Sequence, residues 1–117
     1  MPFRDAQTHF KDMLDAIALT EEFIGTMNFE AFKADPKTKA AVERELQIIT
    51  EAAYRLTPED EALCPAPDWV AYKGMGNILR HGYHKVDDEI VWNTVKDDLP
   101  TLKEAILKAL ATHFPKP

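Results

Sequence analysis

Between positions 73 and 85 the chain gathers Lys73, Arg80, His81, His84 and Lys85 with no Asp or Glu among them, and carboxylates resume at once with Asp87, Asp88 and Glu89. Asn77 and Tyr83 fall in the same window. The set holds an imidazole that titrates near neutrality, a guanidinium that can grip phosphate through two parallel N–H bonds, a phenol and an amide. These are the groups that metal-independent RNA cleavage needs. A base removes the ribose 2′ proton, a cation stabilises charge on the phosphoryl oxygens, and an acid protonates the leaving 5′ oxygen. A helix continued through Tyr83 would place Asn77, His81 and His84 on one side and Gly76, Arg80 and Tyr83 on another. His81 and Tyr83, two residues apart, would not stack directly, although Gly82 can unwind the helix end.

The ordinary readings of the other reactive side chains are stronger than the chemical ones. His9 and His113 lie near the termini and are expected to be solvated. Glu21, Glu22 and Asp87 to Glu89 read as solvated faces or helix caps, and no His-x-x-x-His or Glu-x-x-His spacing supports a metal. Trp69 and Trp92 occupy apolar positions and read as core. Cys64, beside proline, has no evident activating cation and is a poor nucleophile candidate. As the only cysteine it also excludes an internal disulfide.

The elements that must position this window are helical. Phe10, Met13, Leu14, Ile17, Phe23 and Ile24 recur at three- and four-residue steps and predict an amphipathic helix from Arg4 to about Phe23, closed or bent at Gly25. Asn28 can cap a short turn, Phe29 to Phe32, ended by Asp35-Pro36. Val42, Leu46, Ile49, Ala53 and Leu56 mark a core-facing helix from Lys37, and Thr57-Pro58 stops it and caps a short helix through Leu63. Pro65 and Pro67 interrupt regular helix. Asp68 then caps a helix from Trp69 toward Tyr83, weakened by Gly74, Gly76 and Gly82. The last stretch starts at Asp87 or Asp88 and turns Val91, Trp92, Val95, Leu99, Leu102, Ile106 and Leu110 inward. Pro100 falls within it and predicts two helices, with the proline in the first turn of the second. Strand alternation is absent, so the expected fold is all-α: one domain over residues 1–117, a bundle of four main helices with additional short ones.

Composition bounds the rest. A hydrophobic content of 45% with 29% charged residues is that of a globular chain and argues against disorder. No apolar stretch approaches the ~20 residues of a membrane span. The charged N-terminus lacks the apolar run of a signal peptide, which leads to the expectation of a cytoplasmic protein. The net charge of −6 argues against binding nucleic acid by bulk charge, so any contact with RNA must be local, at the basic window, and no DNA partner is expected.

The run from about Arg4 to Leu110 resembles the HepT-like proteins of the HEPN superfamily. The resemblance is carried by Met27 to Phe32, by Ala34-Asp35-Pro36 on through Glu51-Ala52-Ala53, by Trp69, by Gly74-Met75-Gly76-Asn77-Ile78-Leu79-Arg80-His81-Gly82-Tyr83, and by Val86-Asp87 through Ile90-Val91-Trp92 to Asp98-Leu99-Pro100. It implies a HEPN-type helical homodimer whose motif helices meet across a cleft. It also implies the toxin ribonuclease of a type VII toxin–antitoxin pair, without metal or cofactor. Its implied partner is an MntA-like nucleotidyltransferase antitoxin that silences it by adding AMP to the motif tyrosine, here Tyr83. The family motif is Arg, four to six residues, His, one residue, Tyr, with the arginine usually just before the asparagine.

His81 and Tyr83 match that motif, and Asn77 matches its asparagine. The arginine slot holds Gly76. Arg80, one turn further on, can reach a similar volume, while Lys73, His84 and Lys85 are candidate RNA contacts. Three explanations of Gly76 stand open: divergence with Arg80 standing in, natural loss of activity, or an inactivating change. The alternative to a nuclease is accordingly a non-catalytic helical dimer that binds a nucleotidyltransferase partner or a nucleotide.

Overall fold

The computed structural model describes residues 5–81 and 86–116. Its helices are α1 (Ala6–Ile24), α2 (Phe29–Lys33), α3 (Pro36–Tyr54), α4 (Pro58–Leu63), α5 (Trp69–His81), α6 (Asp88–Asn93) and α7 (Leu99–His113), with one π-helical turn, Thr94–Asp98, joining α6 to α7. Four are long, and the all-α bundle expected from the periodicity is the fold. Side chains fix the starts. Asp5, Asn28, Asp35, Thr57 and Asp68 each accept a backbone N–H from the first turn that follows, and Thr57 and Asp60 form a reciprocal capping box. The backbone N–H and hydroxyl of Thr38 hold the Asp35 carboxyl below its ordinary value, as those of Thr8 do for Asp5. Gly25, with φ of 53°, ends α1 in the left-handed region.

The long helices lie side by side in the order α5, α3, α1, α7, with α1 and α3 central. Phe10, Met13 and Ile17 of α1 meet Val42, Leu46, Ile49 and Ala53 of α3 and Leu99, Leu102 and Ile106 of α7 in one buried core. Phe29 and Phe32 of α2 pack against Trp92, at 6.0 and 5.3 Å between ring centroids, and clamp α2 to α6. Trp69 stacks on Phe10 and donates its indole N–H to the Cys64 carbonyl at 2.9 Å, which anchors the start of α5.

Two expectations change. His9 is only 3% exposed, and its Nδ1 has no hydrogen-bond partner. It belongs to the buried stripe Ala6, His9, Phe10, Met13, so helical spacing outweighs proximity to the terminus. Phe23 points outward, because Thr20 and Ile24 take the inward positions at that end of α1. The two final helices are distinct and Pro100 lies in the first turn of the second, as expected; the turn between them keeps helical dihedrals at Asp98 and Leu99, and the Leu99 N–H bonds to the Thr94 carbonyl, five residues back. The extra residue in that turn carries the helix into Pro100, whose ring and missing N–H are poorly tolerated inside a regular α-helix.

The approach of α5 to α3 depends on Gly76. A Cβ built there would lie 2.8 Å from both Cβ and Oγ1 of Thr50, whereas one at Gly74 meets nothing within 4 Å. Thr50 is fully buried and satisfies its hydroxyl by donating to the Gln47 carbonyl at 3.1 Å. Gly76→Ala is therefore expected to lower stability by about 1–3 kcal/mol through overpacking. Gly74→Ala is expected to raise it by about 0.5–1 kcal/mol through helix propensity. Urea unfolding midpoints measure both, and equal shifts in the two variants would contradict the close approach.

Candidate active site

Helices α3 and α5 run antiparallel: Gln47 donates its amide N–H to the Leu79 carbonyl at 3.3 Å, and Thr50 faces Gly76. Helical side chains lean toward the N-terminus of their own helix. Tyr54, at the end of α3, and Arg80, at the end of α5, therefore lean toward each other over the Thr50–Gly76 crossing. The Arg80 guanidinium carbon lies 5.4 Å from the centre of the Tyr54 ring, within cation–π range. Nη2 of the same guanidinium donates to Asn77 Oδ1 at 3.0 Å. Arg80 is thus folded back along α5 toward the level of Gly76 rather than extended into solvent.

His81 follows Arg80 as the last residue of α5, and both are exposed. Cations in a last helical turn are favoured by the partial negative charge of the unpaired carbonyls. The local field thus accounts for part of this placement without any chemistry. Of the groups foreseen for the site, Asn77 and Arg80 are joined by a hydrogen bond on the exposed end of α5, and His81 is the next residue in sequence. Tyr83, His84 and Lys85 lie outside the described residues.

Two of the candidate residues meet neighbours from other helices. Gly76 is buried, and its missing side chain is the space that Thr50 occupies. Lys73 forms an ion pair with Glu61 of α4, so its charge is already engaged away from the exposed end of the helix. Sequence reasoning also overlooked Gln47 and Tyr54. Tyr54 is 63% exposed at the end of a strongly amphipathic helix and lies off its buried stripe, which is the signal that could have singled it out.

Cys64 is buried and its thiol is pushed up by burial, which leaves it unreactive as expected. His113 is exposed and Trp69 is core, also as expected. Among the described residues no three His, Cys, Asp or Glu side chains are grouped to hold a metal ion, and no helix is long and apolar enough to cross a membrane. Three cavities bordered by described residues lie elsewhere. One of about 320 Å³ is bordered by Tyr72, Asp68 and Asp98, one of about 390 Å³ by Cys64, Lys108 and His113, and one of about 220 Å³ by Glu21, Lys96 and Pro100. None of the three is lined by Asn77, Arg80 or His81.

Gly76→Arg tests the close packing at that position. It is expected to melt at a lower temperature than Gly76→Ala, because the longer chain must leave the helix interface and still carries the clashing Cβ. A thermal scan by circular dichroism reads the difference, and an unchanged melting point would mean the interface has room for a side chain.

Comparison with known proteins converges on one family. A family model described as "Ribonuclease HepT-like" matches residues 13–109. A protein named "Probable ribonuclease HepT" from Thermococcus cleftensis is 39% identical over 100 residues, covering 86% of this chain and 91% of its own length. A "Putative RNase" of Methanocaldococcus jannaschii is 29% identical over 106 residues, covering 91% and 97%. Another, from Caldanaerobacter subterraneus, is 32% identical over 89 residues, covering 76% and 80%. No solved structure matches at a significant level.

Proposed function

The chain belongs to the HepT-like ribonuclease family, and from that premise we propose that it is a metal-independent endoribonuclease, the toxin of a pair whose antitoxin is a nucleotidyltransferase. The observation that carries the proposal is an exposed imidazole, His81, next in sequence to Arg80, whose guanidinium is oriented by Asn77 and Tyr54. A site open to solvent suits a polymer substrate. His81 takes the proton from a ribose 2′ hydroxyl, and the 2′ oxygen attacks the adjacent phosphorus. The bond from phosphorus to the 5′ oxygen breaks, leaving a 2′,3′-cyclic phosphate and, after protonation, a 5′ hydroxyl. Arg80 meets the charge that builds on the non-bridging oxygens. In a homodimer with the two α5 ends facing one groove, His81 of the second protomer supplies that last proton. Val70 and Ile78, exposed by 81% and 58% on the side of α5 away from α3, offer apolar surface for such pairing.

Tyr83 is the residue that the antitoxin modifies in this reading. AMP placed there would fill the groove and cancel its positive field. Tyr83 in its neutral phenol form positions RNA rather than accepting the proton. The rival reading, a non-catalytic binding partner, drew its support from glycine at position 76. Packing against Thr50 gives that glycine a reason independent of activity.

His81→Ala is expected to reduce cleavage of a fluorescent RNA by about 10²–10⁴-fold while leaving the melting temperature unchanged, since the side chain is exposed. Cleavage by the unaltered protein is expected to persist in EDTA. Full activity of His81→Ala, or loss of activity on chelation, would overturn the mechanism. Intact mass of the protein co-produced with its antitoxin is expected to show whole AMP increments that vanish in Tyr83→Phe. An unmodified mass, with toxicity still suppressed, would overturn the mode of neutralisation.

A further inference from the structure

Tyr54 touches no reacting group in the mechanism above, yet it is among the most exposed aromatic side chains of the described residues, at 63%. An exposed tyrosine at a helix end gains little by contact with one guanidinium in water. The geometry around it is nevertheless specific. Arg80 lies against the ring, Asn77 fixes the guanidinium from the other side, and the Thr50–Gly76 crossing beneath sets the distance between the two helices. With no side chain at position 76, nothing from that position rises between Tyr54 and Arg80. His81 is the next residue along.

Resting on the ribonuclease reading, we infer that Tyr54 and Arg80 form a stacking platform for an unpaired nucleobase next to the bond that His81 cuts, so that the substrate is single-stranded RNA. A base can stack on an aromatic ring or on a guanidinium plane, and such contacts tolerate any sequence because every base offers a π face. A base held inside a duplex cannot reach such a platform without being unstacked. Glu51, one turn before Tyr54 on α3, places a carboxylate nearby. The α3 side of the site is therefore suited to a base more than to a phosphate. Arg44, whose guanidinium leans on Gln47 Oε1 at 3.5 Å, lies one turn before the residue that holds the Leu79 carbonyl. It is level with the far end of α5 and offers a cation to the backbone there. Tyr54 is a positioning residue in this account: it orders the nucleotide and its Arg80 neighbour and transfers no proton.

The test combines binding and turnover in the full chain. Dissociation constants for a labelled single-stranded RNA and for a duplex of the same sequence are measured by anisotropy in the His81→Ala background, which does not cut. Tyr54→Ala is expected to weaken single-strand binding by on the order of tenfold. Tyr54→Phe, which keeps the ring, is expected to recover most of the loss, and duplex binding is expected to be weak in all three. With His81 intact, Tyr54→Ala is expected to raise KM far more than it lowers kcat. Single-strand binding that ignores Tyr54→Ala, a Tyr54→Phe defect as large as that of Tyr54→Ala, or a shift in oligomeric mass accompanying the loss would each overturn the platform. If the unaltered protein neither binds nor cuts any RNA, the ribonuclease reading itself fails. If it cuts duplex and single strand alike, only the platform does.

Discussion

Contact between Thr50 and Gly76 is the constraint on which the candidate site depends. It lets two helices approach until a single methyl group would not fit between them, and it fixes their relative height. Because α3 and α5 run antiparallel, and their long side chains lean backward, the crossing becomes the point where Tyr54 and Arg80 meet. Gln47 adds a second tie by bonding the Leu79 carbonyl at the end of α5. Replacing Gly76 would do more than fill a gap. It would change the spacing on which the arginine, the asparagine and the histidine beside them all rely.

The same constraint bears on where along α5 a guanidinium can be placed. An arginine at position 76 would start from a backbone pressed against Thr50. One at position 80 starts on the exposed side and reaches back over the crossing, where Asn77 holds its guanidinium. The guanidinium therefore approaches the level of the missing side chain from one turn further along the helix. Net charge points the same way. The chain is acidic overall, Lys73 is engaged by Glu61, and the cations at the end of α5 stand out against that background.

Much of the scaffold was legible in the sequence, because burial on a helix writes a period of three and four residues. The five positions from Val42 to Leu56 are all buried, and the caps at Asn28, Thr57 and Asp87 stand where side-chain chemistry places them. What was not legible shares a cause: each feature depends on a neighbour from another element. Glu61 is twelve residues from Lys73 and on a different helix, so spacing gave no sign of the ion pair. Glycine at position 76 looked like an absence because the residue that needs its space, Thr50, is remote in sequence. Pro100 sits in the first turn of α7, where its fixed φ suits it, and one π turn links that helix to α6. The position of Tyr54 off the buried stripe was legible, but its meeting with Arg80 was not, because that depends on the height of α3 against α5.

In the proposed reaction the ribose 2′ hydroxyl beside the cleaved bond is the nucleophile, and His81 draws its proton. An oligonucleotide cut at one known linkage, compared with the same oligonucleotide carrying 2′-deoxyribose at that single nucleotide, tests it most directly. Mass spectrometry of the products is expected to show a 2′,3′-cyclic phosphate and a 5′ hydroxyl from the first and no cleavage at that linkage in the second. Cutting at the deoxyribose position, or products ending in a 3′ hydroxyl and a 5′ phosphate, would contradict it.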